Sequence, residues 1–315
     1  MLENKKIAVV VPAYNEERLI ERAINGIPSF VDKIIVVDDC SKDGTTNRVN
    51  ALLQQQPDRI VLITHARNQG VGGAIASGYI WCRDHDVEIA VVMAGDAQMA
   101  PDDLPALLQP VLNGEYDYAK GNRLFSGDAW NQIPKARYLG NAAMSLLTKI
   151  ASGYWQVADS QCGYTAINRR ALYTLDWNKM YKRYGQPNDL LVRLNLYSFR
   201  VCDVPTRPIY NIGEKSGVKP IRMIPRLSLL LFKLFIWRMF QKYVIRDFHP
   251  LIFFYIFGIA LFLPGLLFGS WLVVYRLFIG KAAVNSALFA ALLTISGLQL
   301  LLFAMWFDME YNKNN

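Results

Sequence analysis

Residues 33–45 read KIIVVDDCSKDGT and hold the pattern that decides the fold. The apolar residues Ile34–Val37 are β-branched and uninterrupted, which predicts a short strand buried on both faces. Two carboxylates, Asp38 and Asp39, follow at the strand end, and a helical pattern begins at about Gly44. The stretch therefore predicts a strand, a polar loop and a helix in succession.

The same unit recurs on both sides of this stretch. Alternating strands and helices predict an α/β domain whose mostly parallel sheet is covered on both faces. Ligands of such sheets bind beyond the carboxyl ends of the strands, so the loops there are expected to carry the chemistry. The predicted strands are Ile7–Val11, Lys33–Val37, Arg59–Thr64 and Glu88–Met93; the helices begin at about Glu16, Gly44 and Gly72 or cover Pro101–Leu112 and 134–152.

Two long apolar runs lie near the end of the 315-residue chain. Neither Leu251–Tyr275 nor Val284–Phe307 contains a charged residue, and each has the ~20 residues needed to cross a bilayer. Trp271 and Trp306 fall near the predicted span ends, where amphipathic aromatic side chains prefer the interface. The runs predict a transmembrane hairpin; a helical hairpin buried in a soluble core is the alternative.

The net charge of +8 comes with a basic segment directly before these runs. On a helical wheel its cations form two opposite faces, which predicts two short amphipathic helices in the headgroup plane. A solvated surface helix is the alternative. Nucleic-acid binding is excluded, because the cations gather beside the apolar tail and not among stacking aromatics. One face holds Arg222, Arg226 and Lys233, and the other Arg238, Lys242 and Arg246.

These patterns divide the chain into residues 1–220, the catalytic candidate; 221–248, the basic helices; 249–308, the hairpin; and a tail, 309–315. The loop between the spans offers only Arg276 and Lys281, so the positive-inside rule places both termini in the cytoplasm. The N-terminal apolar run is too short for a signal peptide. Four scattered cysteines without a CxxC pair argue against a disulfide framework and fit a reducing cytosol.

Three strand-end loops carry candidate site residues. Tyr14 and Glu16 lie in the loop after Pro12, where they could hold a nucleobase and a ribose. Asp38 and Asp39 could accept bonds from a base N–H and a ribose hydroxyl. After the fourth predicted strand, Asp96 could bind a hard divalent cation, with Gln98 adding a carbonyl oxygen. Each loop taken alone could also be read as a helix cap or a turn.

Taken together, the order and spacing of these loops resemble the family 2 glycosyltransferases of the GT-A fold over about residues 5–220. Within that family the chain looks most like the polyprenyl-phosphate glycosyltransferases, which include dolichol-phosphate mannose and glucose synthases. The paired apolar runs also match many bacterial members. The blocks that carry the resemblance are Pro12–Glu16, Asp38–Thr45, Asn68-Gln69-Gly70, Gly95–Gln98, Gly121-Asn122-Arg123 and Asp159–Gly163.

The resemblance assigns roles to individual residues. It implies that a nucleotide-sugar is held by Pro12, Tyr14, Glu16, Asp38 and Asp39. It implies further that Asp96, also a catalytic candidate, and Gln98 serve the diphosphate and a divalent cation, Mg²⁺ or Mn²⁺. Relatives usually have Asp-x-Asp at this loop, whereas Ala94 takes the place of the first acid here.

Other departures concern the acceptor side. Where many relatives have Gly-Phe-Arg, this chain has Gly163-Tyr164-Thr165, and Tyr210 stands where an arginine is frequent. Arg207, Lys215 or Lys219 could supply the missing charge. Arg123 and Arg137 are candidates for gripping an acceptor phosphate, because arginine matches phosphate oxygens bidentately; surface salt bridges are the alternative. Asp189 falls near the catalytic acid of related transferases, or is an ordinary helix cap.

The function expected from this resemblance is inverting transfer of a hexose from a UDP- or GDP-sugar to a polyprenyl phosphate at the cytoplasmic membrane face. A processive polysaccharide synthase is disfavoured, because the chain lacks a Gln-x-x-Arg-Trp signature and further spans. Transfer to another lipid or lipid-linked glycan stays open, as do a non-catalytic scaffold and a homo-oligomer. A transporter is disfavoured, because two spans provide no internal repeat.

Overall fold

The computed structural model describes residues 5–124, 135–207, 209, 220–281 and 283–313, without the side chains of 135–139, 141 and 220–223. The chain divides into two compact units, Met1–Phe235 and Ile236–Asn314. The first contains a sheet with helices, and the second contains the apolar hairpin.

In the described part of the first unit, a mixed sheet of seven strands forms the centre. Their order is β3-β2-β1-β4-β6-β5-β7, and β6 runs antiparallel to both of its neighbours, while the other pairs are parallel. The strands predicted from the sequence are present, and the mixed α/β architecture is confirmed. The bounds are β1 Ile7–Ala13, β2 Lys33–Asp38, β3 Ile60–Thr64, β4 Ile89–Val92, β5 Tyr118–Asn122, β6 Thr165–Asn168 and β7 Val201–Pro205.

Helices connect these strands and cover both faces of the sheet. Short 3₁₀ turns at Pro101–Asp103 and Trp177–Lys179 supplement them. The bounds within the first unit are α1 Ile20–Asn25, α2 Thr45–Gln55, α3 Val71–Asp84, α4 Leu104–Leu112, α5 Lys135–Ser152, α6 Arg169–Thr174 and α7 Gln186–Leu196. Helix α8, Pro220–Phe240, continues into a π-helical turn, Gln241–Arg246.

Alternation along β1 shows why the sheet is buried on both sides. Val9 and Val11 belong to one apolar cluster, and Ala8 and Val10 belong to the other. Helix α3 lies especially close to this strand, since a Cβ added at Gly78 would come within 2.2 Å of Val10 Cγ1. This close packing fixes the N-terminus of α3 beside the carboxyl end of β1.

Within the described residues, the second unit contains two helices long and apolar enough to cross a membrane, α9 Leu251–Phe278 and α10 Val284–Tyr311. Small residues let the two backbones approach: an added Cβ at Gly265 would meet Thr294 N at 2.6 Å, and one at Gly297 would meet Phe262 N at 2.3 Å. In the most apolar stretch of 18 residues, only 22% of α9 and 17% of α10 are buried. Apolar helices that stay this exposed are suited to a lipid environment.

The prediction of two separate basic helices is wrong, because α8 is continuous over Pro220–Phe240. The prediction that Arg238 and Lys242 face lipid headgroups is also wrong, because they are 0% and 3% exposed. Arg238 forms a bidentate ion pair with Asp308, with both N–O distances 2.8 Å, and Lys242 donates to Asn312 at 2.6 Å. The helical-wheel prediction assumed that every cation faces outward. A wheel carries no information about an acidic partner seventy positions away in the sequence.

Candidate active site

A cavity of about 710 Å³ opens at the carboxyl ends of β1, β2 and β4. Parallel strands end at the same edge of a sheet, so their loops meet there as the sequence predicted. The residues that line it are Pro12–Leu19, Asp39, Asp43, Asn68, Gly70, Val71, Ala74, Ala94–Asp96, Arg183 and Tyr184.

The first two loops are clamped to each other. The N–H of Asn15 donates to Ser41 Oγ at 2.9 Å, and the N–H of Lys42 donates back to Asn15 Oδ1 at 2.8 Å. The N–H of Glu16 donates to Thr45 Oγ1 at 2.8 Å. This exchange holds the loop that carries Tyr14 and Glu16 in place, and Tyr14 remains exposed at the cavity.

Each of the three strand-end loops contains a non-glycine residue with positive φ. Asn15 has φ 58°, Cys40 has φ 65° and Ala97 has φ 56°. Such residues cost about 1–3 kcal/mol each and persist where the surroundings impose them, often at functional sites. Three of the five non-glycine residues with positive φ in the described part of the chain therefore lie in the loops that surround the cavity.

Carboxylate side chains cluster in the cavity between the loop after β1 and the loop after β4. Burial, followed by the nearby charges of Asp96 and Asp43, raises the pKa of Glu16 to about 7. Asp96 Oδ1 accepts the N–H of Gln98 at 3.1 Å, which fixes the carboxylate of Asp96, whereas the Gln98 side chain is not part of the lining. An anionic wall of this kind suits a bound cation.

The carboxylates that line the cavity fit one kind of divalent-cation site, in which a substrate supplies some of the ligands. Within the part of the chain that the structure describes, no three His, Cys, Asp or Glu side chains gather into a ready-made metal cage. Mg²⁺ and similar hard cations are commonly held by one or two carboxylates together with the phosphates of a substrate. Asp96, with Glu16 close by, matches that arrangement.

The two neighbouring carboxylates after β2 differ in position. Asp38 is buried, accepts the N–H of Ser41 at 3.0 Å and the hydroxyl of Thr46, and is absent from the cavity lining. Asp39 does line the cavity, and it accepts the N–H groups of Gln69 and Gly70, both at 2.7 Å. Asp38 thus stabilises the loop in which it lies, while Asp39 links the start of α3 to the cavity.

Arg123 lies at the end of β5 and not in the lining of the cavity. Its guanidinium forms a bidentate pair with Asp159, with distances of 2.8 Å from Nε and 3.1 Å from Nη2. Burial alone would raise the pKa of Asp159, but Arg123 outweighs it and the net shift is downward. Lys120 is buried beside them and donates to the carbonyls of Asp159 and Cys162.

Asp189 acts on the connection before α7. Its carboxylate is buried, which raises its pKa, and it accepts from the N–H of Tyr181 at 2.7 Å and from Arg193 Nε at 2.9 Å. The adjoining Arg183 and Tyr184 reach the cavity. Asp189 is therefore placed to shape the wall of the cavity without lining it.

Sequence reasoning missed Arg183, Tyr184 and His65. His65 lies directly after β3 and binds Asp39 Oδ1 through Nδ1 at 2.7 Å. Only the cluster Lys182-Arg183-Tyr184 before a helix hinted at a site, and no local pattern connects it to the strand ends. Of the predicted acceptor-side residues, Lys215, Lys219 and the side chain of Arg137 lie outside the described residues.

Comparisons with known proteins agree with this geometry. Residues 8–176 match the family model described as glycosyl transferase family 2. The UDP-N-acetylglucosamine–dolichyl-phosphate N-acetylglucosaminyltransferase of Methanococcus voltae is 31% identical over 66% of this chain and 88% of its own length. The polyprenol monophosphomannose synthase of Mycolicibacterium smegmatis is 29% identical over 68% of this chain and 82% of its own length.

A solved structure shows the same fold. The glucosyl-3-phosphoglycerate synthase from Mycobacterium tuberculosis, in complex with Mn²⁺, UDP and phosphoglyceric acid, superposes with a TM-score of 0.55 at 22% identity. The match covers 75% of this chain and 78% of that one, and it establishes the GT-A-like fold. The family match spans more than half of the chain, and it includes the strand-end loops that form the cavity. The chain therefore belongs to glycosyl transferase family 2 and is a hexosyltransferase that resembles the polyprenyl-phosphate glycosyltransferases.

Proposed function

We propose that this enzyme transfers a hexose from a UDP- or GDP-sugar to a polyprenyl phosphate at the cytoplasmic face of a membrane, with inversion at the anomeric carbon. The observation that carries the proposal is an acidic strand-end cavity in a chain that also contains two exposed apolar helices. The names of the two relatives support the acceptor class, since one acts on dolichyl phosphate and the other makes polyprenol monophosphomannose.

The donor nucleotide is proposed to lie along the first two strand-end loops. Tyr14 offers an exposed aromatic ring, Pro12 lies near the end of β1, and Asp39 offers acceptor oxygens. Glu16, which lines the same cavity, is proposed to meet the ribose or the diphosphate. Asp38 is proposed to support this loop from within, since both of its oxygens are engaged there.

Asp96 is proposed to hold a divalent cation, Mg²⁺ or Mn²⁺, with Gln98 as a second oxygen donor. When bound, such a cation neutralises charge on the leaving diphosphate. The protein's own contribution is to aim Asp96 at the diphosphate, through the hydrogen bond from the Gln98 N–H, and to keep the loop in its strained form. Ala94 leaves the first position of the loop without a carboxylate.

The acceptor phosphate is itself an oxyanion, so attack on the sugar needs no strong general base. The larger demands are holding two anions in line and stabilising the charge that develops. Arg183 and Arg18 bring positive charge to the cavity wall. The proposed contacts of the acceptor phosphate are Arg123, Arg137, Lys215 and Lys219. Asp189 is proposed to support the catalytic site.

Membrane attachment gives the acceptor access to the site. A polyprenyl phosphate keeps its headgroup at the bilayer surface, so an enzyme that uses it must work at that height. We place α9 and α10 across the bilayer, with both termini in the cytoplasm, because cations concentrate before the first span. The exposed apolar side chains along both helices support this placement.

A panel of donors and acceptors tests the proposal. Membranes that contain the full chain are incubated with labelled UDP- and GDP-sugars, with undecaprenyl or dolichyl phosphate and with Mg²⁺ or Mn²⁺. The expected product is a lipid that carries one sugar on a phosphate. Label on a glycerolipid or on a lipid-linked glycan would instead assign another acceptor, and no transfer to polyprenyl phosphate from any donor would refute the proposal.

Arg183→Ala is expected to lower kcat/KM for the transfer by about 10- to 100-fold, the range for losing a charge-assisted hydrogen bond to an anionic substrate. Steady-state kinetics with each substrate varied in turn would show which anion Arg183 meets. Arg169→Ala is the matched control, because Arg169 is half exposed and pairs with Asp86 at 2.7 Å, away from the cavity. Equal kinetics for the two variants would remove Arg183 from the site.

A further inference from the structure

We propose that His65 is a positioning residue for nucleotide binding, which fixes the carboxylate of Asp39 and, through it, the loop Asn68–Gly70. The inference rests on the proposed function only in requiring that the cavity binds a nucleotide. It concerns a side chain that does not line the cavity, so any effect on binding is indirect, through Asp39 or through α3, which His65 contacts at Ser77.

His65 is held at both ring nitrogens. Nδ1 lies 2.7 Å from Asp39 Oδ1, and Nε2 lies 2.9 Å from the hydroxyl oxygen of Ser77 on α3. The Asp39 oxygens accept backbone N–H bonds, so they act as acceptors and Nδ1 is the donor toward them. In the neutral ring Nε2 then accepts the hydroxyl proton of Ser77. His65 as a whole residue is only 8% exposed.

The Asp39 carboxylate accepts three hydrogen bonds. Oδ1 accepts from His65 and from the N–H of Gln69, and Oδ2 accepts from the N–H of Gly70 at 2.7 Å. A carboxylate has about four acceptor positions, so one position remains for a ligand donor such as a nucleobase N–H. That spare position is usable only while the carboxylate keeps this orientation.

The loop that Asp39 holds has little freedom of its own. Gly70 has φ 89°, and an added Cβ there would lie 2.5 Å from the carbonyl oxygen of Lys182. The N–H of Gly73 also donates to that carbonyl at 3.1 Å. A rotated Asp39 would release the N–H groups of Gln69 and Gly70, and the wall formed by Asn68 and Gly70 would shift with them.

Two polar substitutions of His65 distinguish a positioning role from a role in packing alone. Asn at position 65 places an N–H close to the position of Nδ1 and can still donate to Asp39, whereas Gln places its amide near the position of Nε2. We expect His65→Gln to weaken nucleotide binding by about 10- to 100-fold, the range for a hydrogen bond to a charged group. His65→Asn is expected to stay within about threefold of the wild type, because the bond to Asp39 is kept.

Calorimetry on the full chain in detergent, with UDP and GDP as separate probes, measures these affinities. Single-turnover transfer with saturating donor should leave the rate of His65→Gln within about threefold of the wild type, since the bound donor is expected to react normally. Binding does not require the acceptor, so a wild-type enzyme that binds nucleotide but fails to use polyprenyl phosphate refutes the proposed function and leaves this inference standing.

Equal losses of affinity in the Asn and Gln variants, or no loss in either, would overturn the inference. Failure of the wild type to bind either nucleotide would overturn it as well. Should His65→Gln not fold, His65→Phe takes its place, because Phe keeps a buried ring and lacks the donor. In an Asp39→Asn background the replacement of His65 should have little further effect, and a full additional loss there would also contradict the positioning role.

Discussion

Replacing Asp96 with asparagine is expected to lower the rate of sugar transfer by about 100- to 1000-fold, the usual range when one preorganised stabiliser of transition-state charge is removed. The side chain keeps its size and can keep the bond from the Gln98 N–H, so the loop should retain its shape. What is lost is the negative charge that is proposed to face the diphosphate and its cation. With Ala94 in the preceding acidic position of the family pattern, Asp96 has no second loop acid to compensate.

Transfer assays with Mn²⁺, together with calorimetry of Mn²⁺ binding in the presence of UDP, measure both sides of this expectation. Asp102→Asn is the matched control, because Asp102 is exposed and does not line the cavity. Ala94→Asp tests the same idea in the opposite direction and should tighten Mn²⁺ binding. An Asp96→Asn enzyme with near-normal transfer and unchanged Mn²⁺ affinity would remove Asp96 from this role.

Replacing Asp308 with alanine is expected to destabilise the second unit by about 3–5 kcal/mol, because it leaves a buried cation without its partner. Arg238 is 0% exposed and Asp308 is 0% exposed, and they share two hydrogen bonds of 2.8 Å. The hydroxyl of Tyr243 and the amide of Asn312 also bind this carboxylate. Removing it therefore breaks a network and not a single contact.

Thermal unfolding in detergent would measure this loss. Glu310→Ala is the control from the same helix turn, since Glu310 forms an exposed pair with Lys313 at 3.5 Å and should change stability by less than about 1 kcal/mol. The double variant Arg238→Met/Asp308→Leu should recover part of the stability, because it removes the ion pair as a unit, while Tyr243 and Asn312 still lose their acceptor. A single Asp308→Ala variant as stable as the Glu310→Ala control would contradict the expectation.

The strands and helices around the site could be predicted because their signals are local. The apolar run Ile34–Val37 determines its own strand, and α2 begins at Thr45, next to the predicted Gly44. Helix α1 begins at Ile20 and not at about Glu16; the residues between form a turn in which the N–H groups of Leu19 and Ile20 both donate to the Glu16 carbonyl. The N–H groups of Asn15 and Glu16 bind the next strand-end loop, through residues almost thirty positions away.

The missing parts of the site are those that depend on long-range pairing. His65 meets Asp39 across 26 positions, and Arg183 reaches the cavity only because its segment binds the start of α3. The antiparallel position of β6 between β4 and β5 likewise depends on contacts across the sheet. Hydrophobic periodicity reports which face of an element is buried, but it carries no information about which distant side chain lies opposite.

The pairing of Arg238 with Asp308 also bears on how the chain is made. The arginine leaves the ribosome seventy residues before its carboxylate, which at 5–20 residues per second is a delay on the order of ten seconds. During that interval Asp308 has not yet been synthesised, so the guanidinium is expected to stay hydrated. It can be buried only after both apolar helices have been synthesised. Docking of the arginine thus reports that α10 has been synthesised and has packed against the arginine's segment. A nascent chain stalled before Asp308 should remain open to proteases at Arg238, and a completed chain should resist them.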